Sequence, residues 1–201
     1  MNPRHNLLVF IAALLRHPGV VGAIAPSSRG LGELLATVVP HDGQPTVVEL
    51  GPGTGAVSTV ISRRLPPGGR HLAVEIDPAL ADHLQRTHPK VEVVRGDAAE
   101  LGGLLDAAGA PLVDAVISSL PWSLFGEDQQ RQILGHVCRA LAPGAGFSTF
   151  AYRHAAPLAG ARRFRALLDD YFDEVVTTRT VWRNLPPALV YICRRPTPGH
   201  H

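Results

Sequence analysis

Hydrophobic positions change their spacing near Thr46. Residues 1–45 carry apolar positions at helical spacing, broken at "HPG" and "APSSRG", and from Thr46 onward short apolar runs alternate with longer amphipathic ones. That alternation predicts a parallel sheet flanked by helices. The runs place strands at Thr46–Leu50, His71–Glu75, Val91–Arg95, Val113–Ser118, Gly146–Tyr152, Glu174–Thr180 and Ala188–Cys193, seven in all. Between them "AVSTVISRRL", "PALADHLQRT", "AELGGLLDAA", "EDQQRQILGHVCRAL" and "GARRFRALLDDYF" have helical spacing, several ended by Gly or Pro. The last two strands are joined by "VWRNLPP", which has no room for a helix, so the final strand is predicted antiparallel to its neighbour. No repeat, low-complexity tract or linker divides the chain. The organisation expected is a helical segment over residues 1–45, serving as a lid or a membrane interface, and a ligand-binding α/β domain over residues 46–201.

Composition narrows the classes. A chain of 201 residues, 45% hydrophobic and 18% charged, has the size and apolar content of one globular domain with a full core. A net charge of +2 does not mark a nucleic-acid binder, although a pI near 8.8 leaves a mildly basic surface. Cys138 and Cys193 are far apart and lack metal-like spacing, so neither a disulfide framework nor a zinc site is expected, and a reducing cytoplasm fits. No apolar run approaches the roughly 18 residues needed to cross a bilayer. Leu7–Leu15 has the length of a signal-peptide core, but it lacks a small-residue cleavage site and runs into "RHPG", so it reads as part of the mature protein. In residues 4–17, apolar positions 7, 8, 10, 11, 14 and 15 lie between basic groups. This suits a helix lying in a lipid interface at the inner membrane face, and equally a helix docked on the sheet. Arg162, Arg163 and Arg165 form a second basic cluster around Phe164, open to anionic headgroups or to solvent.

The candidate chemistry begins at "VVELGPGTGAV", Val47–Val57. A glycine-rich turn between a buried strand and a helix lets the backbone approach a ligand and aims free helix N–H groups at it. Gly51, Gly53 and Gly55 fit that description. Glu75 ends the second strand in "HLAVEID", where a carboxylate can accept both hydroxyls of a ribose lying over the first turn. Asp97 follows the third strand in "VEVVRGDAAEL", placed to accept from an adenine amino group while the backbone N–H of Ala98 donates.

Taken in order, ELGPGTG, AVEID, RGDA and a fourth strand ending in SSLPW resemble the class I S-adenosylmethionine-dependent methyltransferases, over residues 46 to about 195. The resemblance implies a Rossmann-like seven-stranded α/β sheet with the last strand antiparallel, and S-adenosyl-L-methionine as cofactor rather than NAD. It also implies that Glu49 sits near the methionine end of that cofactor. Relatives that methylate base amines usually carry Asn or Asp where this chain has Ser119, a weaker acceptor, which disfavours RNA adenine as substrate. Ser119 is grouped with the cofactor-side residues. "HPGVVGAIAPSSRGLGELL" and "VWRNLPPALVYICRR" are similar to stretches of the bacterial phospholipid N-methyltransferases, which act on phosphatidylethanolamine. That likeness implies a phospholipid or small-molecule amine as acceptor.

Methyl transfer from a sulfonium is an in-line displacement that needs an acceptor lone pair and no metal. A protonated amine must lose a proton first, and Tyr152 and His154 in "TFAYRHAA" are the candidates for assisting. A methylated ammonium suits aromatic faces, for which Trp122, Phe125, Tyr152 and Trp182 are available. The alternative for Trp122 is a core aromatic. Arg183 is expected to clamp a phosphate or carboxylate, and Asn184 to complete the acceptor side beside Trp182.

Overall fold

A computed structural model of the chain describes residues 27–197. The predicted interfacial helix over residues 4–17 lies outside them.

The central strand β1 (Thr46–Leu50) is buried at four of its five positions, because it is covered on both faces and paired on both edges. Around it lie β2 (Arg70–Glu75), β3 (Glu92–Arg95), β4 (Val113–Ser118), β5 (Leu141–Tyr152), β6 (Phe172–Thr177) and β7 (Ala188–Pro196). They form one sheet of order β3-β2-β1-β4-β5-β7-β6, in which only β7 runs antiparallel to its neighbours. The seven-stranded expectation and its reversed last strand are both met.

Helices cover both faces. On one lie α1 (Arg29–Leu35) and α2 (Ala56–Arg64), with Leu31, Leu35, Val57, Val60 and Ile61 packed on Val47, Ala115 and Ile117. On the other, α4 (Leu101–Ala107), α5 (Glu127–Ala140) and α6 (Ala159–Tyr171) pack on Val48, Leu50, Val116 and Phe147. Between β2 and β3 comes α3 (Pro78–Thr87). Local signals set the helix starts. Ser28 Oγ accepts from Leu31 N at 3.3 Å to open α1. Asp77 Oδ1 accepts from Ala79 N and Leu80 N at 2.9 and 3.0 Å, with Pro78 at the first helical position of α3. Such caps are worth about 1 kcal/mol each.

Several boundaries differ from the sequence reading. β5 begins at Leu141, not Gly146: Leu141 pairs with Val113, and a register shift before Gly146 absorbs the intervening residues, with Gly144 at φ +85°. β6 starts at Phe172, directly after α6, and stops at Thr177 rather than Thr180, because Thr178 turns its hydroxyl to accept from Val190 N at 3.0 Å. The stretch "AELGGLLDAA" divides into a 3-10 turn, Ala98–Glu100, and the short α4. Within the expected N-terminal segment, residues 29–39 contribute Leu31, Leu35, Ala36 and Val39 to the core of the sheet, and Ser148 Oγ donates to Leu35 O at 2.7 Å.

Candidate active site

The chain leaves β1 to build the sheet in one direction through β2 and β3, then returns beside β1 with β4 to build it in the other. The carboxyl ends of β1 and β4 therefore meet at the topological switch point, where open α/β sheets bind ligands. Ser119 N donates to Leu50 O at 2.8 Å and Gly51 N to Val74 O at 3.0 Å, which closes the rim. The turn that follows β1 has Gly51, Gly53 and Gly55 at φ +67°, +56° and +84°, all in the left-handed region. Two of these glycines serve the fold. A Cβ on Gly51 would stand 2.9 Å from Leu120 Cδ2, and one on Gly55 2.6 Å from His88 Cε1. Gly53 is different: a Cβ there meets no atom of the described residues within 4 Å, so its bare side faces space that they leave open.

Of the acids singled out in the sequence, Glu75 contacts this turn directly. Glu75 is buried at the end of β2, with Oε2 accepting from Gly53 N at 3.1 Å and Oε1 from Asp77 N at 2.9 Å. Burial pushes its carboxyl above the usual carboxylate range, against the pull of those backbone donors. Gly96 N donates to Glu75 O at 3.1 Å, which brings the end of β3 beside β2. Asp97 Oδ1 there caps the 3-10 turn through Ala99 N at 2.9 Å, and Ala98 is buried. Glu49 is wholly buried: Oε2 accepts from Ser58 Oγ at 2.6 Å and lies 3.0 Å from His71 Nε2, while Oε1 has no partner among the described residues. The Ser119 hydroxyl is likewise buried and unpartnered among them.

On the acceptor side the structure corrects several expectations. Trp122 is 3% exposed and Phe125 is buried; Trp122 stacks on Phe164 at 4.3 Å and donates from Nε1 to Ser118 Oγ at 3.1 Å. Both rings are core, because the 3-10 turn Trp122–Leu124 folds the indole inward onto β5 and α6. Asn184 is buried too, its Oδ1 accepting from Ser28 N at 2.8 Å and its Nδ2 donating to Pro186 O at 2.7 Å, so it ties the last loop to the start of α1. Two of the three clustered arginines are engaged within the fold, and Arg162 is exposed. Arg163 donates to Gln130 Oε1 and to Phe125 O, both at 3.3 Å, and Arg165 pairs with Asp169 at 2.6 Å.

Tyr152, His154, Trp182 and Arg183 lie around the carboxyl end of β5 and the start of β7, on the same rim as the glycine turn. Tyr152 and His154 stack at 5.6 Å, and burial pushes the Tyr152 phenol up to about 12. Trp182 and Arg183 are exposed, with the Arg153 guanidinium 5.8 Å from the indole centroid.

Sequence reading missed the residues that support the site. Ser58 and His71 hold Glu49, and Gln130 donates to Trp122 O at 2.6 Å and to Gly160 O at 3.1 Å, fixing the turn after β4. The signals were available: a carboxylate inside an apolar strand requires partners, and Gln130 shares a helical stripe with Ile133, Leu134 and Val137.

A family profile described as Methyltransferase domain matches residues 47–144. The ornithine lipid N-methyltransferase of Singulisphaera acidiphila is 32% identical over 192 residues, covering 94% of this chain and 96% of that protein. An O-methyltransferase from Bacillus cereus in complex with SAH superposes with a TM-score of 0.70 at 16% identity, over 97% of this chain and 92% of that one. TomG, an O-methyltransferase of Streptomyces achromogenes in complex with SAM, gives 0.68 at 20% identity over 94% and 89%. The residues present fit that cofactor: Gly53 leaves room for close approach, Glu75 faces the turn, and the buried Ser119 Oγ and Glu49 Oε1 have no partner among the described residues. Sharing its fold with enzymes solved around S-adenosylmethionine and S-adenosylhomocysteine, and nearly its whole length with a lipid N-methyltransferase, the chain belongs to the class I S-adenosylmethionine-dependent methyltransferases.

Proposed function

We propose that this enzyme transfers methyl groups to the amine of a membrane-lipid headgroup, of the phosphatidylethanolamine or ornithine-lipid type, at the inner face of the membrane. The observation that carries this reading is the near full-length likeness to a protein named ornithine lipid N-methyltransferase. Bound at the glycine turn, S-adenosylmethionine supplies an electrophilic methyl on a sulfonium. Glu75 and Asp97 would hold its ribose and adenine, and Gly51, Gly53, Gly55, Glu49 and Ser119 would surround its amino-acid end.

The chain's remaining task is to deliver a neutral amine and exclude water. An ammonium has no lone pair, so one proton must leave it. His154, exposed at the rim and stacked on Tyr152, is the group proposed to take that proton. Tyr152 stays a neutral phenol, since burial pushes it up to about 12, and it can only donate a hydrogen bond or offer its ring face.

The test is transfer from labelled S-adenosylmethionine to detergent micelles carrying phosphatidylethanolamine or ornithine lipid, beside ethanolamine, free ornithine and RNA. Label in the lipid fraction, lost in His154→Ala with cofactor affinity retained, is the result expected. Label confined to a soluble amine or to RNA would overturn the lipid assignment.

A further inference from the structure

The loop between β6 and β7 carries more apolar surface into solvent than a connection needs. Trp182 and Leu185 are 69% and 68% exposed, more than any other large hydrophobic among the described residues. Their backbone is firmly held. Asn184, between them, is 1% exposed and bonded at both ends of its amide, and Val181 N donates to Ala188 O at 2.7 Å. A buried anchor thus keeps two large apolar side chains turned outward on a short, braced loop. Single exposed hydrophobics are ordinary, but two presented together from a fixed tip mark a contact surface.

Charge indicates what the surface meets. Arg153 lies against the Trp182 ring, Arg179 and Arg183 are exposed nearby in the chain, and none has a carboxylate within 4 Å among the described residues. The sequence has no acidic residue in 141–168 or 175–201. An apolar tip flanked by arginines without carboxylate partners complements an anionic lipid surface: the arginines meet phosphates while the indole and the leucine enter the interface. Asn184 Oδ1 accepts from Ser28 N, so the loop is tied to the start of α1. In sequence, the N-terminal stretch carries Arg4, His5, Arg16 and His17 around its apolar positions, so its charge repeats that of the loop rather than complementing it.

We propose that the loop Val181–Pro187 docks the enzyme on anionic bilayers, with Trp182 and Leu185 inserted at headgroup depth and Arg153, Arg179 and Arg183 on lipid phosphates. The proposal rests on the lipid-amine reading above and extends it: the rim bearing the glycine turn would face the membrane, where a headgroup amine can reach it.

The test uses the full chain and vesicles of phosphatidylglycerol and phosphatidylcholine, which hold no amine acceptor, so docking is read apart from catalysis. Wild type should float with them. Trp182→Ala and Leu185→Ala should each lower partitioning about tenfold, and the double variant should stay in solution. Leu112→Ala, equally apolar but at the opposite end of β4, should float as wild type does, and calorimetry should show unchanged cofactor affinity in every variant. The chain has two tryptophans and Trp122 is in the core, so quenching by bromine-labelled acyl chains reports Trp182. Wild type should be quenched and Trp182→Phe should not. Flotation of the double variant at the wild-type level, no flotation of wild type, or a bound protein whose Trp182 escapes quenching would each overturn the proposal; the last would assign binding to the N-terminal stretch. Loop-dependent flotation without methylation of any lipid in micelles would instead refute the lipid-amine reading while leaving the docking surface standing.

Discussion

Asn184→Ala separates a structural amide from an acceptor-binding one. In the folded chain the Asn184 amide accepts from Ser28 N at 2.8 Å and donates to Pro186 O at 2.7 Å while being 1% exposed. Truncation leaves the Ser28 N–H without its acceptor, at a desolvation cost of about 1–3 kcal/mol, and removes the donor to Pro186 O. The vacated volume adds to this, so the total loss is about 2–4 kcal/mol from a domain stability of about 5–15 kcal/mol. For a domain of this size each kcal/mol lowers Tm by about 2–4 °C, so a fall of about 5–15 °C is expected by scanning calorimetry. Asn184→Asp should not rescue it, because it keeps the acceptor for Ser28 but buries a charge and loses the donor. Affinity for S-adenosylmethionine, measured well below the transition, should change less than about twofold, since the amide's hydrogen bonds go to Ser28 and Pro186 and not to the glycine turn. An unchanged Tm together with a raised Michaelis constant for the lipid would refute this reasoning and return Asn184 to the acceptor site.

The glycine turn allows a paired comparison. Gly53→Ala should cost only the strain of a left-handed alanine, about 1–2 kcal/mol, yet weaken cofactor binding at least tenfold by calorimetry, whereas Gly55→Ala should mainly lower Tm because its Cβ strikes His88. Glu75→Ala should weaken the cofactor by about 2–4 kcal/mol through two lost ribose contacts. Because burial raises the Glu75 carboxyl, between the ordinary carboxylate range and the raised value the folded state holds a proton that the unfolded chain has released. Its contribution to stability is therefore full below the ordinary carboxylate range and lost as pH rises through the raised value, so the Tm gap between wild type and Glu75→Ala should narrow from acid to neutral pH. Cys138, pushed up to about 12 by burial, and Cys193, pushed higher still, should resist maleimide at neutral pH until the protein unfolds, as a mass-spectrometric time course would show.

The proposed cofactor residues could be grouped from sequence because their determinants are local. Gly51, Gly53 and Gly55 follow a strand directly, and Glu75 and Asp97 each sit at a strand end, so parallel register alone brings them together at the switch point. Apolar spacing was enough to place seven strands and to reverse the last one, since a connection as short as "VWRNLPP" leaves no other choice. The limits of β5 and β6 were not legible, because pairing across the sheet carried β5 through "LAPGAG", a stretch whose local preference is a turn.

The acceptor half depends on contacts between distant segments. Trp122, Phe125 and Asn184 read as ligand residues because aromatic and amide side chains on loops of the ligand-binding rim are suited to that task. Only packing shows that Trp122 stacks on Phe164 and that Asn184 holds Ser28, 156 positions away. The same holds for Ser58 and His71 around Glu49, and for Arg163 turned inward to Gln130. Residue type and spacing determine which chemistry a segment can carry. Whether a side chain faces ligand, core or solvent depends on what the rest of the chain lays against it, and that is a property of tertiary packing alone.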